Sequence, residues 1–246
     1  MRRILLGCAS LLAFAASPAL AGDWSGTFAG DYSYFHAGGS DANSVGIDGM
    51  LARSLDWNGL SVQANADYHY LWAGGGGGSV NSGTFGGALV WNGMDGRIAA
   101  NANYHTTGLF NGTTYGVGGE WYGGPDWTLG LRGGGLSVSG GGTGGYVGGE
   151  AIKYFDSNWS LGIGMDYTSV GHARVTDYSA RVEYLAWQNL SIYGGYTFAD
   201  IPGTSGHVLT IGLKWYCDGG APTLVDNNRS APSAFISNFA STIFQF

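Results

Sequence analysis

The residues able to do chemistry are few and far apart. The 246-residue chain holds five histidines, His36, His69, His105, His172 and His207. Asp67 with His69, and Asn103 with His105, stand two positions apart, so each pair shares one face of an extended segment and could present a cation site at a mouth. The two pairs fall on strands separated by a third, about 10 Å apart at the usual spacing, too far to share one ion without side-chain reach. The expectation is two solvated mouth histidines and no metal site. For hydrolysis, His105 with Thr106, or His172 with Ser169 and Asp166, supply a base and a hydroxyl, yet neither set sits in a recognisable nucleophile motif. The glycine-rich stretches from Gly74 to Gly78 and from Gly140 to Gly145 lack a following Lys-Ser/Thr or helix, so no phosphate cradle is expected. No catalytic residue, metal or cofactor is assigned, and the chain is not expected to be an enzyme.

A second group of chemically useful residues is more regular. Asp31, Asp48, Asp67, Asp166, Asp177 and Glu183 are acidic and fall on the polar face of alternating segments, and Glu120 and Glu150 join them. Arg97, Arg132, Arg181 and Lys214 are their basic counterparts. Side-chain charges lining a passage set its ion selectivity, here with a mild cation preference. The same charges could also cross-link an interior and close it.

What must position these residues is a set of strands with two unlike faces. From Ser61 to Trp72, Val62, Ala64, Ala66, Tyr68, Tyr70 and Trp72 share one face, while Gln63, Asn65, Asp67 and His69 share the other. Ile98, Ala100, Ala102 and Tyr104 against Arg97, Asn101, Asn103 and His105 repeat the arrangement. So do Leu161, Ile163, Met165 and Tyr167 against Gly162, Gly164 and Asp166, and Tyr178, Ala180, Val182 and Tyr184 against Asp177, Ser179, Arg181 and Glu183. The joints alternate in character. Tight ones lie at Asp56-Trp57-Asn58-Gly59, Asn92 to Gly96, Gly123 to Asp126, Asp156 to Asn158 and Gln188-Asn189. Looser, Gly- or Ser-rich ones lie at Ala37 to Asn43, Gly74 to Ser79, Thr107 to Gly112, Ser139 to Thr143, Val170 to Arg174 and Asp200 to Gly206. Together they divide the chain into about twelve antiparallel strands, with both ends on the side of the tight turns.

The aromatics set the scale. Trp57, Trp91, Trp121, Trp127, Trp159, Trp187 and Trp215, with Trp24, sit beside tight turns or at the strand-region ends, whereas Tyr68, Tyr104 and Tyr167 fall toward the opposite side. From Trp159 to Tyr167 the chain advances roughly 20 Å at a tilt near 40°, close to the apolar band of a membrane barrel. Two aromatic girdles at that spacing predict a transmembrane up-and-down β-barrel, with aromatics and aliphatics toward lipid and polar residues toward a wet lumen. A soluble all-β sandwich or ligand-binding barrel would have to bury all those rings and present a surface nearly without Lys or Glu.

Composition agrees. The chain has 47 glycines, 14% aromatics, 5 prolines and mean hydropathy +0.02; chains rich in glycine but disordered are poor in aromatics. At its start, Arg2 and Arg3 precede an apolar run from Ile4 to Ala16 and an Ala19-Leu20-Ala21 site, which predicts a signal peptide over 1–21. Leu5-Leu6-Gly7-Cys8 comes too early, ahead of the apolar core, to be a lipoprotein box. Removing 1–21 takes away Cys8 and leaves Cys217 as the single thiol, so no intramolecular disulfide is expected. It also removes two of the 10 basic residues and none of the 17 acidic ones, for a net 8 − 17 = −9. That charge argues against a nucleic-acid partner. No stretch beyond the signal approaches the roughly 18 apolar residues of a spanning helix.

The Ala19-Leu20-Ala21 site, the alternating strands, turns such as Tyr154-Phe155-Asp156-Ser157-Asn158-Trp159 and the terminal Phe246 together resemble Gram-negative outer-membrane β-barrel proteins of the porin-like kind. The resemblance implies an integral outer-membrane barrel with periplasmic termini, contact with outer-membrane lipid and a barrel-assembly machinery. In that class a last strand ending in Phe is the assembly signal. This chain departs from the pattern: its last strand, His207 to Cys217 with Leu209, Ile211, Leu213 and Trp215 outward, is followed by about thirty residues. The expected domains are 1–21 signal, 22–217 barrel and 218–246 linker and tail. Phe235, Ile236, Phe239, Ala240, Ile243 and Phe246 recur at helical spacing with Ser233 as a cap, predicting a short amphipathic helix in the periplasm, lumen or interface. The alternative is a fourteen-stranded barrel with strands at Pro222–Asp226 and ending at Phe246. The expected function is a channel for ions or small polar solutes; the alternatives are a non-conducting structural or surface-interaction barrel, and an outer-membrane lipid hydrolase. Solute and oligomeric state are not legible.

Overall fold

The computed structural model describes residues 24–55, 57–74, 78–108, 111–217 and 220–237. The signal peptide expected over 1–21 and the tail positions Phe239, Ala240, Ile243 and Phe246 lie outside them. Twelve strands follow one another: β1 (Trp24–Ala37), β2 (Ser40–Ser54), β3 (Leu60–Ala73), β4 (Ser79–Gly93), β5 (Gly96–Thr107), β6 (Asn111–Tyr122), β7 (Trp127–Val138), β8 (Gly142–Tyr154), β9 (Trp159–Val170), β10 (Ala173–Trp187), β11 (Leu190–Ile201) and β12 (Thr204–Tyr216). Each pairs antiparallel with its sequence neighbours, and β1 pairs with β12, from Thr27 opposite Tyr216 to Ala37 opposite Gly206, so the sheet closes. Closure leaves no edge strand, so the strands pair on both sides within the sheet, with a register shift between Leu185 and Trp187 on β10. The fold is thus an all-β, antiparallel, up-and-down barrel of twelve strands, not fourteen.

Burial runs opposite to that of a soluble protein. Phe85, Leu131, Ile163 and Ile211 are 57–73% exposed, while Thr168 and Ser191 are fully buried and Arg97 and Glu120 are 4% and 7% exposed. The alternation in β5 is strict, with Arg97, Ala99, Asn101, Asn103 and His105 buried and Ile98, Ala100 and Ala102 exposed. Strands of 12 to 15 residues, tilted as in such barrels, rise about 30 Å or more and so overspan a 25 Å apolar band.

Three of the joints expected to be loose are two-residue turns, at 38–39, 171–172 and 202–203, which corrects their reading as longer loops. They continue the ladder to the tip: Ala37 pairs with Ser40, Ala173 with Val170 and Ile201 with Thr204. Gly38 and Gly39, at φ 57° and 80°, make the first of these turns; a two-residue hairpin needs this left-handed backbone, and the small flanking residues let pairing persist. Asn58 and Gly59, at φ 48° and 80°, supply the same left-handed backbone in the longer joint between β2 and β3, where Leu60 N–H donates to Trp57 O at 2.9 Å.

After β12 the chain folds back across the mouth from which β1 starts, here termed the tail end. Its segment Asp218–Pro232, expected to be a linker, contains a helix, α1 (Leu224–Ser230), capped by Thr223 Oγ1 accepting from the Asp226 N–H. That helix occupies the place of the alternative strand at Pro222–Asp226. A single turn, α2 (Ala234–Ser237), follows.

Candidate functional site: the barrel lumen

The alternation of each strand puts Asp31, Asp48, Asp67, Arg97, Glu120, Arg132, Asp166, Asp177, Arg181, Glu183 and Lys214, with Glu150, on the inner wall. They sort by depth. Nearest the tail end, Arg97 Nε donates to Glu120 Oε2 at 2.7 Å, with both side chains 4% exposed. On the opposite wall Glu183 collects Ser191 Oγ at 2.5 Å, Tyr216 OH at 3.0 Å, and Lys214 Nζ and Arg181 at 3.4 Å each. Buried carboxylates of this kind are tolerated because cations and hydroxyls replace their water.

At mid-depth Arg132 holds Asp166 with two bonds, 2.9 and 2.8 Å, the planar fork that arginine makes with a carboxylate. The Arg181 guanidinium lies 4.1 Å from the Tyr193 ring centre, a cation–π contact. Two pairs of aspartates stand directly opposite each other across neighbouring strands, Asp48 with Asp67 and Asp166 with Asp177. Asp31 and His69 converge over Gly46, where a Cβ would lie 2.9 Å from Asp31 Oδ2 and 2.2 Å from His69 Nδ1. The missing side chain at 46 is what gives both groups room.

These residues line two neighbouring cavities. One cavity of about 310 Å³ is lined by Asp31, His69, Asp166 and Asp177 among serines and threonines. A second, of about 490 Å³, is lined by Asp48, Asp67, Glu150, Arg181 and Lys214 and extends to the tail residues Asn228 and Phe235. His69, Ser179, Thr197 and Thr210 line both.

The two mouth histidines part company. His69 faces the cavities, but His105 is 2% exposed, with Thr84 Oγ1 3.0 Å from Nδ1 and Thr114 Oγ1 2.9 Å from Nε2. A solvated His105 is therefore a correction: threonines on the flanking strands take both ring nitrogens. The proposed hydrolytic sets do not assemble either. Thr106 and Ser169 alternate to the outer face, away from His105 and Asp166, and the Asp166 carboxylate is occupied by Arg132. Among the described residues no group of three or more metal-ligating side chains converges.

Outside, Trp57, Trp91, Trp121, Trp127, Trp159, Trp187 and Trp215 are 40–69% exposed and ring the tail end. Tyr68 and Tyr167 are outward and exposed farther along their strands. Tyr104, half-buried, packs on Phe85 at 5.2 Å between ring centres.

Of the three places the sequence left open for the tail, the structure shows the mouth and lumen wall, with a helix at Leu224–Ser230 that sequence reasoning missed. α1 buries Leu224 against Tyr154, Leu185 and Tyr216, and Asn227 Nδ2 donates to Gln188 O at 3.0 Å in the turn between β10 and β11. The chain then crosses the mouth. Arg97 Nη1 donates to Ala231 O at 2.6 Å, Nη2 to Asn228 O at 3.2 Å, and Ser233 Oγ bonds Glu120 Oε1. Ile236, fully buried, ends against Ala88, Val90 and Ala99 on β4 and β5. The signal available in the sequence was a run of inward glycines, Gly118 on β6 and Gly130 on β7, whose missing side chains leave room that only another part of the chain could fill.

No protein family and no curated protein matches this sequence. Solved structures are similar in fold. The KdgM porin, also solved in complex with disordered oligogalacturonate, is 13% identical over 76% of this chain and 98% of its own, with a TM-score of 0.55. The NanC porin is 14% identical over 76% and 98%, at 0.56. An outer membrane channel from Pseudomonas putida F1 is 11% identical over 82% and 97%, at 0.59. The chain thus has the fold of outer-membrane porins and channels, and no helix among the described residues is long and apolar enough to cross a membrane.

Proposed function

We propose that the chain is an outer-membrane channel for small polar solutes and ions, with its tail end in the periplasm and a preference for cations. The observation that carries this reading is the pair of lumenal cavities with shared polar walls, rich in carboxylates and hydroxyls. Water-filled space lined by charge of one dominant sign raises the local concentration of the opposite ion. Fold-level likeness to porins supports the class. The oligogalacturonate seen with KdgM belongs to that porin and carries no solute over to this carboxylate-rich lumen.

Asp48 and Asp67 stand opposite each other on neighbouring strands and both line the larger cavity, so they are the residues on which selectivity is best tested. In a planar bilayer under a salt gradient, the protein should give a reversal potential of cation-selective sign, and Asp48→Asn with Asp67→Asn should move it toward zero. An unmoved potential would remove these two from the selectivity mechanism. One specific observation favours a second reading, a non-conducting barrel: the tail fills the mouth at one end. Silence in the bilayer under all conditions would select it.

A further inference from the structure

We infer that the C-terminal segment is a displaceable plug, bound across the tail-end mouth by a receptor built into the wall and released to open the passage. This rests on the channel reading above. Three features carry it.

The wall is hollowed to receive the segment. A Cβ on Gly118 would stand 3.1 Å from Ile236 Cβ, and one on Gly130 would stand 2.7 Å from the Phe235 ring. The wall also binds the segment's backbone, as a receptor binds a peptide: Arg97, Arg132 and Asn101 donate to the carbonyls of Ala231, Phe235 and Ile236 at 2.6, 3.0 and 2.8 Å. These donors project from the inner wall, where a permeating solute would meet them. The segment is anchored on opposite walls as well, since Arg229 reaches Gly124 O and Trp127 O at 2.8 Å each while Lys214 reaches Asn228 Oδ1 at 2.6 Å. It therefore spans the opening.

Departure is possible because nothing essential leaves with it. Its described residues, 220–237, contribute no strand, and β1 closes on β12 without them. The cations that hold it keep wall partners of their own, Arg97 with Glu120, Arg132 with Asp166 and Lys214 with Glu183. Undocking thus strands no buried charge, the penalty that would otherwise lock such a contact. The two states differ by the burial of Ile236, Phe235 and Leu224 and by hydrogen bonds that water can replace.

A disulfide between Gly118→Cys and Ile236→Cys, in the full chain with Cys8→Ser and Cys217→Ser, tests this, because the Cβ separation is near that of a disulfide. The oxidised protein should carry the cross-link, seen by gel shift, and conduct about tenfold or more less than the same protein after dithiothreitol, as expected for a population shift of that size. The Gly118→Cys single variant controls for the wall change. Without any cysteine pair, Ile236→Asp, which puts a charge in the apolar socket, should raise the open fraction by a similar factor over wild type. Failure of the cross-link to form overturns the docked tail. A cross-linked protein that conducts equally in both redox states overturns the plug and leaves the channel standing. Cross-linking with silence in both states overturns the plug and the channel together.

Discussion

Asp48 opposite Asp67, and Asp166 opposite Asp177, are arrangements that a sheet built for stability would avoid, because like charges directly across a ladder repel. Arg132 offsets one pair through its two bonds to Asp166. The other lies in the field of Arg181 and His69 on the same inner wall. Asp48→Asn should stabilise the folded barrel by about 0.5 kcal/mol, read from urea unfolding in lipid, while weakening cation preference. A loss of stability would mean that Asp48 is held by a cation more firmly than its position opposite Asp67 implies. Arg97 is the contrasting case. Its removal leaves Glu120 buried beside it, so Arg97→Met should cost about 3 kcal/mol, whereas adding Glu120→Gln should recover much of that. Equal costs for the single and double variants would show that the tail carbonyls, not Glu120, are the main partner of Arg97.

At the level of strands and turns, Gly59 shows how tightly the hairpins are specified. Its φ of 80° suits glycine, and a Cβ there would lie 2.3 Å from the backbone oxygen of Asn92. Backbone cannot give way as a side chain can. Gly59→Ala should therefore destabilise the β2–β3–β4 corner by more than about 1 kcal/mol, visible as a lower fraction of heat-modifiable folded barrel on unboiled gels. Gly39→Ala, with nothing near its Cβ, should cost less. An equal cost would put the whole effect in backbone strain. The strands themselves were legible from alternation, since the period of two that separates Val62 from Gln63 also separates lipid from lumen. Loop length was not legible: glycine and serine mark a two-residue turn and a mobile loop alike, and only the register of Ala37 with Ser40 tells them apart. The tail was half-legible. Ser233 to Ile236 read as helical, but Asp218–Pro232 read as linker, because its polar Asp226-Asn227-Asn228-Arg229 run looks solvated until a polar wall is there to receive it. The partners of His105 were hidden for a related reason: periodicity gives the face of a strand but not the threonines on the strands beside it.

On the scale of the whole barrel, the inverted burial makes a prediction that no soluble fold shares. Leu131 on β7 and Ile163 on β9 are 73% and 57% exposed and sit toward the middle of their strands. On a soluble protein, replacing such exposed aliphatics by arginine would be nearly neutral. Facing hydrocarbon, the same change costs about 2–4 kcal/mol near the midplane and falls toward zero at the interfaces. Leu131→Arg and Ile163→Arg should therefore lower folding stability in bilayers by that amount, while Trp127→Arg, in the tail-end belt of tryptophans, should cost much less. The gradient matters more than either value. It would locate the apolar band relative to the charged lumen, because Leu131 is adjacent in sequence to Arg132 and faces the opposite way. If all three variants cost the same, the aromatic belt does not mark a membrane interface. If the midplane pair alone is costly, hydrocarbon lies outside the wall at the depth where Arg132 and Asp166 meet inside it, and the carboxylate-lined cavities lie within the span of the bilayer.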